Sequence, residues 1–194
     1  NTIKNEDGIL KARNTDAAGA RKSLLDVGCP IEGKNVLFIG SGGAARSIAY
    51  LLSKEAKKIV ITDIVEKKAK TVAGEIKKNM DAEIEGMLAS KKNLETEIKK
   101  ADLLINATPV GMHPNEDATP VPKDLLHEDL FVFDVIYNPM ETRLMKEAAE
   151  MGCDTLSGLN MLINQGVLAF EWWTGKEPNS ELMREKIIDF LGIT

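Results

Sequence analysis

Two hydrophobic periods alternate along this chain. The runs Asn35-Val36-Leu37-Phe38-Ile39, Ile59-Val60-Ile61, Leu103-Leu104-Ile105 and Phe131-Val132-Phe133-Asp134-Val135 are short and mostly apolar, which predicts strands buried on both faces of a sheet. Ala82 to Met87 alternates like a half-buried strand, and Asp154-Thr155-Leu156 predicts a short last one. Between the runs the spacing turns helical. Ala18, Ala20, Leu24, Leu25 and Val27 share one stripe, Ala69, Val72, Ala73 and Ile76 another, and Leu144, Met145, Ala148 and Ala149 a third, with a charged helical piece around Lys91 to Lys100. Strand-helix alternation of this kind predicts a doubly wound (Rossmann-type) α/β fold, a mostly parallel sheet with helices on both faces.

The pattern changes at both ends. Residues 1–13 are polar, with Glu6-Asp7-Gly8 marking a turn, and predict a strand or a connection from an upstream part. Asn14-Thr15-Asp16 opens the first helix, with Thr15 or Asp16 as the expected cap; from spacing alone, capping is the favoured role of Asp16. Gly28 and Pro30 stop that helix. Beyond Ser157-Gly158 the alternation ends and two helices follow, one striped by Met161, Leu162, Gln165, Leu168, Ala169 and Trp172, the other by Leu182, Met183, Ile187, Ile188 and Leu191. Both stripes are expected to pack. The expected division is 1–32 as a connection and helix, 33–157 as the sheet domain and 158–194 as C-terminal helices.

Candidate chemistry sits between the first two buried strands. Gly40-Ser41-Gly42-Gly43-Ala44-Ala45 leaves the strand at 35–39 and enters a helix. In a dinucleotide site Gly40 allows the sharp turn, Gly42 lets the backbone approach a pyrophosphate, and Ala45 lets helix and strand pack closely. The helix amides and the positive end of its dipole then face the phosphates. Asp63 follows Gly40 by 63 − 40 = 23 positions, near the ~20 at which an acid meets the adenosine ribose. A carboxylate there accepts from ribose hydroxyls and repels a 2′-phosphate, so NAD is the expected cofactor and NADP stays open through Lys67, Lys68 and Lys70, which otherwise read as a solvated helix face. Asn106 to Met112 and Ile136 to Pro139 leave later strands at the same rim.

Composition narrows the rest. The 194 residues carry a formal charge of −5 and 43% hydrophobic residues, which leaves no electrostatic footprint for nucleic acid or an anionic membrane. No apolar run approaches the ~20 residues of a membrane span and no secretory signal is visible, so the expected location is the cytoplasm. Cys29 and Cys153 read as free thiols, and His113 and His127 lack ligand spacing, so no metal is expected. A first residue of Asn rather than Met suggests a fragment or a processed product.

Six ordered motifs together resemble the shikimate/quinate dehydrogenases: Asn1-Thr2-Ile3, Asn14-Thr15-Asp16, Gly40 to Arg46, Asn106 to Met112, Asp134 to Pro139 and Gly158 to Gly166. The resemblance implies nicotinamide-dependent, reversible reduction of 3-dehydroshikimate to shikimate, with quinate a further candidate. It implies that Asn1 and Asp16 hydrogen-bond substrate hydroxyls, that Asp16 partners a catalytic lysine, and that Tyr137 and Gln165 reach the substrate from the cofactor side. Gly40, Ser41, Gly42, Gly43 and Ala44 match its pyrophosphate loop, and Val135 and Gly158 match backbone positions beside the nicotinamide. Where the family's NADP users carry Asn-Arg-Thr, this chain has Asp63-Ile64-Val65, with Lys68 where a second basic residue is common. Ala17 replaces a usual glycine, and Arg13 stands where Tyr or His is common. The family's N-terminal substrate domain, with paired serines and the proton-handling lysine, has no counterpart here. A missing N-terminal domain or a partner chain is therefore expected to complete the site, the stripes on the last helices leave a homodimer open, and the chain alone is expected to bind cofactor with negligible turnover. The reading from another class is a non-catalytic dinucleotide-binding module or sensor.

Overall fold

The computed structural model describes residues 1–192. It opens with an antiparallel hairpin, β1 (Thr2–Glu6) and β2 (Ile9–Arg13), then helix α1 (Asp16–Asp26). The chain continues β3 (Asn35–Ile39), α2 (Gly43–Leu52), β4 (Lys58–Asp63), α3 (Glu66–Asn79), β5 (Ile84–Leu88), α4 (Lys91–Ile98) and β6 (Leu103–Asn106). After a loop and a short 3-10 turn come β7 (Phe131–Asp134), α5 (Arg143–Glu150), β8 (Thr155–Ser157), α6 (Gly158–Thr174) and α7 (Ser180–Leu191).

Strands β3 to β8 form one sheet in the order β5-β4-β3-β6-β7-β8, with every pair parallel. This is the doubly wound topology. The direction of winding reverses between β3 and β6, so a crevice opens there beyond the strands' carboxyl ends. Successive side chains of one strand feed two cores: Val36 and Phe38 join α1, α2 and α3 residues, whereas Leu37 and Ile39 join α4 and α5 residues. That two-sided burial is why these strands are apolar without alternation.

Three expectations need correction. Residues 1–13 form a hairpin, not a lone strand or connection: Asp7 and Gly8 both have positive φ (53° and 87°), as a tight hairpin turn requires. The second strand was illegible because every residue of β2 is exposed, Ile9 and Leu10 included, so no alternation marks it. Thr15 takes the N-cap position of α1, but neither it nor Asp16 caps through its side chain; Asn14 Oδ1 accepts from Ala17 N at 3.2 Å instead. The C-terminal stripes pack less than expected. In α6 the buried residues are Gly158, Leu159, Ile163 and Ala169, and α7 has none.

Helix α1 lies against α2 and α6. Gly19 makes the α6 crossing close, since a Cβ there would sit 2.7 Å from the backbone N of Gln165. The hairpin joins the same unit: Trp173 Nε1 donates to Ile3 O (2.9 Å), Lys4 Nζ donates to Trp172 O (3.1 Å), and the Arg13 guanidinium stacks over Trp172 at 4.8 Å. The first 26 residues and α6 are thus one packed layer, although the sheet separates them in sequence.

Candidate functional site

The glycine loop leaves β3 beside the reversal point. Gly40 has φ +97°, and a Cβ on it would meet Thr108 Cγ2 at 2.8 Å and Ala107 O at 2.9 Å, so both conformation and space require glycine. Gly42 differs. Its backbone is extended, and a Cβ on it or on Gly43 would meet nothing within 4 Å. Nothing inside the protein demands a glycine at either position, whereas a phosphate approaching the backbone would. No acceptor among the described residues takes the N–H groups of Gly42, Gly43 or Ala44, and they open α2, where the helix dipole favours an anion. These residues fit a dinucleotide's pyrophosphate.

Ser41 turns its donors away from that space. Its N–H (3.0 Å) and Oγ (2.6 Å) both donate to Asp63 Oδ2, while Asp63 Oδ1 accepts from Val65 N at 2.9 Å. Asp63 therefore ties the glycine loop to the end of β4. With both lone pairs of Oδ2 engaged, one acceptor position on Oδ1 is left for a ribose hydroxyl. Burial disfavours its charge, but the Ser41 hydroxyl, the Val65 and Ser41 amides and the nearby Lys68 outweigh that and hold the carboxyl below its ordinary range. Ile64 is 86% exposed, and Lys68 lies exposed on the outer face of α3.

Sequence reasoning missed a buried network at the rim of β6 and β7. Asp134, fully buried, accepts from Asn106 Nδ2 (3.0 Å), Ile136 N (3.1 Å) and Thr142 Oγ1 (2.7 Å). Asn106 Oδ1 in turn accepts from Thr108 N and Thr108 Oγ1. Burial raises the Asp134 carboxyl above its ordinary range, with the three donors opposing. The network fixes both segments that leave the sheet beside the crevice. Asn106 and Asp134 are register partners at the ends of two apolar strands, the one signal that could have exposed it. Gly158 lies against Val135: a Cβ would come 2.1 Å from Val135 O, and Gly158 N donates to Ile136 O at 3.0 Å.

A second cluster assembles from the two chain ends. Asn1 Nδ2 donates to Asp16 Oδ1 (2.7 Å), Thr15 Oγ1 (2.9 Å) and Gln165 Oε1 (3.3 Å), and Asn1 Oδ1 accepts from Thr15 N at 2.8 Å. Thr15 is drawn into this cluster, which is why its hydroxyl does not cap α1. Three of the four expected substrate residues, Asn1, Asp16 and Gln165, are thus together. Tyr137 is not hydrogen-bonded to any of them; it lines a separate cavity of about 430 Å³ with Thr108, Met112, Val135 and Ile136.

The family profile "Shikimate / quinate 5-dehydrogenase" matches residues 22–139, and "Shikimate 5'-dehydrogenase C-terminal domain" matches 158–188. The chain belongs to the shikimate/quinate dehydrogenase family. It is 44% identical over 190 residues to the shikimate dehydrogenase (NADP(+)) of Methanocaldococcus jannaschii, which covers 97% of this chain and 67% of that enzyme. A crystal structure of a shikimate dehydrogenase in complex with NADP+ superposes with a TM-score of 0.89 at 41% identity, over 97% of this chain and 66% of the other. The enzyme from Listeria monocytogenes in complex with shikimate and NAD also gives 0.89, at 35% identity, over 95% and 66%. The chain thus spans about two thirds of the length of these shikimate/quinate dehydrogenases.

Of the remaining groups singled out in this family member, His113 is at the edge of the cavity that Tyr137 lines, and His127 and the two cysteines are not among its lining residues. His113 pairs with Glu116, and His127 Nε2 lies 3.0 Å from Ile98 O. Both cysteines are buried, and burial pushes the Cys29 thiol up to about 11. Among the described residues no helix is long and apolar enough to cross a membrane.

Proposed function

We propose that this chain forms the dinucleotide-binding part, and one wall of the substrate site, of a dehydrogenase that interconverts 3-dehydroshikimate and shikimate, with quinate as a further candidate substrate. The observation that carries the proposal is the set of unpaired amides on Gly42, Gly43 and Ala44 at the reversal point of the sheet. When bound, the nicotinamide supplies or accepts the hydride. The chain's own residues bind and orient. The glycine loop holds the phosphates, Asp63 fixes that loop and offers one acceptor to the ribose, and Asn1, Asp16 and Gln165 present donors and acceptors to a polyhydroxylated ring.

NAD is the preferred cofactor in this proposal. The carboxylate of Asp63 lies at the end of β4, and the next residue is an exposed isoleucine with no guanidinium to grip a 2′-phosphate. Lys68 is the counterweight, and the relatives whose names carry NADP(+) make the cofactor the first thing to test.

Asp16 orients but does not donate. An ionised carboxylate is an acceptor only, and among the described residues no lysine hydrogen-bonds it. These residues therefore bind dinucleotide with little turnover unless a proton donor comes from outside them. Thermal unfolding with NAD, with NADP and with each plus shikimate tests the proposal. A dinucleotide at 100 times its Kd adds about 2.7 kcal/mol of stability by mass action. The expected result is a larger rise with NAD and a further rise with shikimate. No shift with either dinucleotide refutes the proposal, and a dinucleotide shift that shikimate leaves unchanged favours a sensor module instead.

A further inference from the structure

We propose that helix α7 closes the outer side of the nicotinamide compartment, with Leu191 as its apolar wall; the proposal rests on the dinucleotide reading above. A dinucleotide held at the reversal point extends two ways, its adenosine toward β4 and Asp63 and its other half over the ends of β6 and β7. The 430 Å³ cavity lies at those ends, and its volume is within the range of ~300–1,000 Å³ usual for ligand pockets. Thr108, Met112, Val135, Ile136 and Tyr137 come from the segments leaving β6 and β7. Leu191 alone comes from the C-terminal helix.

The seating of α7 explains how it arrives there. Asn179 Oδ1 caps the helix by accepting from Leu182 N at 2.9 Å, and Arg184 Nη2 donates to Asn160 Oδ1 on α6 at 2.6 Å. Met183 packs its Cε toward Gly166, where a Cβ would come within 3.1 Å. From Met183 to Leu191 is eight residues, or ~12 Å of helix, enough to pass from α6 to the rim. The phase is selective: the preceding Phe190 is 88% exposed and outside the cavity. Leu191 continues the half-buried side of α7 that holds Met183 and Ile187, and at the end of that stripe it meets the cavity. An apolar wall also favours the neutral reduced ring over the cationic oxidised one, because a charge loses hydration there.

The test compares NADH, NAD and ADP-ribose, which lacks the nicotinamide, in calorimetric titrations of the parent chain, Leu191→Ala and Phe190→Ala. Leu191→Ala is expected to weaken NADH roughly tenfold, the effect of losing ~50 Å² of apolar contact, and to weaken NAD less. ADP-ribose should bind all three proteins alike, and Phe190→Ala should match the parent throughout. Parent-like NADH binding by Leu191→Ala overturns the proposal, as does equal weakening of NADH and ADP-ribose or an equal loss in Phe190→Ala. A parent chain that binds ADP-ribose but gains nothing from the nicotinamide overturns it too. A parent that binds none of the three ligands refutes the dinucleotide reading itself.

Discussion

Replacing Asp63 by asparagine should move stability and cofactor choice in opposite directions. Asp63 Oδ2 accepts from both donors of Ser41, and Oδ1 accepts from Val65 N. Asparagine keeps one acceptor oxygen and turns the other into a donor, so either the pair of Ser41 bonds or the Val65 bond is lost, and the bonds that survive are to a neutral acceptor. Hydrogen bonds to a charged group contribute about 1.5–3 kcal/mol each, and partial exposure of the site reduces this, so a net loss of about 2 kcal/mol is expected. For the cofactor, one unit charge ~6 Å from another at an effective dielectric of ~20 interacts by about 3 kcal/mol. Screening at a partly exposed carboxylate roughly halves that, which leaves about tenfold in the ratio of NADPH to NADH affinity. Fluorescence titration with both reduced cofactors at one ionic strength, beside denaturant unfolding, measures both effects. An unchanged affinity ratio would refute the assignment of Asp63 to the adenosine ribose, and unchanged stability would refute its role as the tie on the glycine loop.

The glycine loop offers a matched pair. Gly42→Ala should leave the melting temperature within error of the parent and weaken dinucleotide binding at least ~10-fold, because its Cβ meets only ligand space. Gly40→Ala should lower stability by about 2 kcal/mol or more through positive φ and the Thr108 contact, as read by denaturant unfolding. Asp134→Ala, which strands three buried donors, should cost about 3–5 kcal/mol in the same assay, and Asp134→Asn far less. The raised Asp134 carboxyl makes the folded state bind a proton that the unfolded state binds less well, so its contribution grows as pH falls through that raised value and fades as pH rises. Melting temperatures from pH 4 to 8 should therefore show the parent gaining on Asp134→Asn toward acid; the reverse trend would reject the assignment. Asn1→Ala should abolish the extra stabilisation by shikimate over dinucleotide while leaving the dinucleotide shift in place, by thermal unfolding.

The sheet was legible because its strands are buried on both faces, so four apolar runs announced themselves without tertiary information. Their order was not. Nothing local says that β6 pairs with β3 while β5 takes the other edge, and that arrangement is what makes the crevice. The hairpin was legible only at its turn, since β2 is exposed along its whole length. Thr15 or Asp16 was expected to cap α1; Thr15 holds the N-cap position, but its hydroxyl is engaged by Asn1 from the other end of the hairpin, and Asn14 supplies the side-chain acceptor.

The residue types and spacing of the glycine loop, with an acid past the next strand, determined by themselves that this chain could cradle a dinucleotide. Backbone chemistry there is local: a turn with positive φ, bare amides and a helix start depend on neighbours in sequence. Only the tertiary structure decided that Asp63 spends one oxygen on Ser41, that Asn106, Asp134 and Thr142 share a buried network, and that Asn1 meets Gln165. Those are contacts between distant segments. Hydrogen bonding is short-ranged, and which side chains come within about 3 Å of one another is fixed by packing rather than by any periodicity a single segment displays.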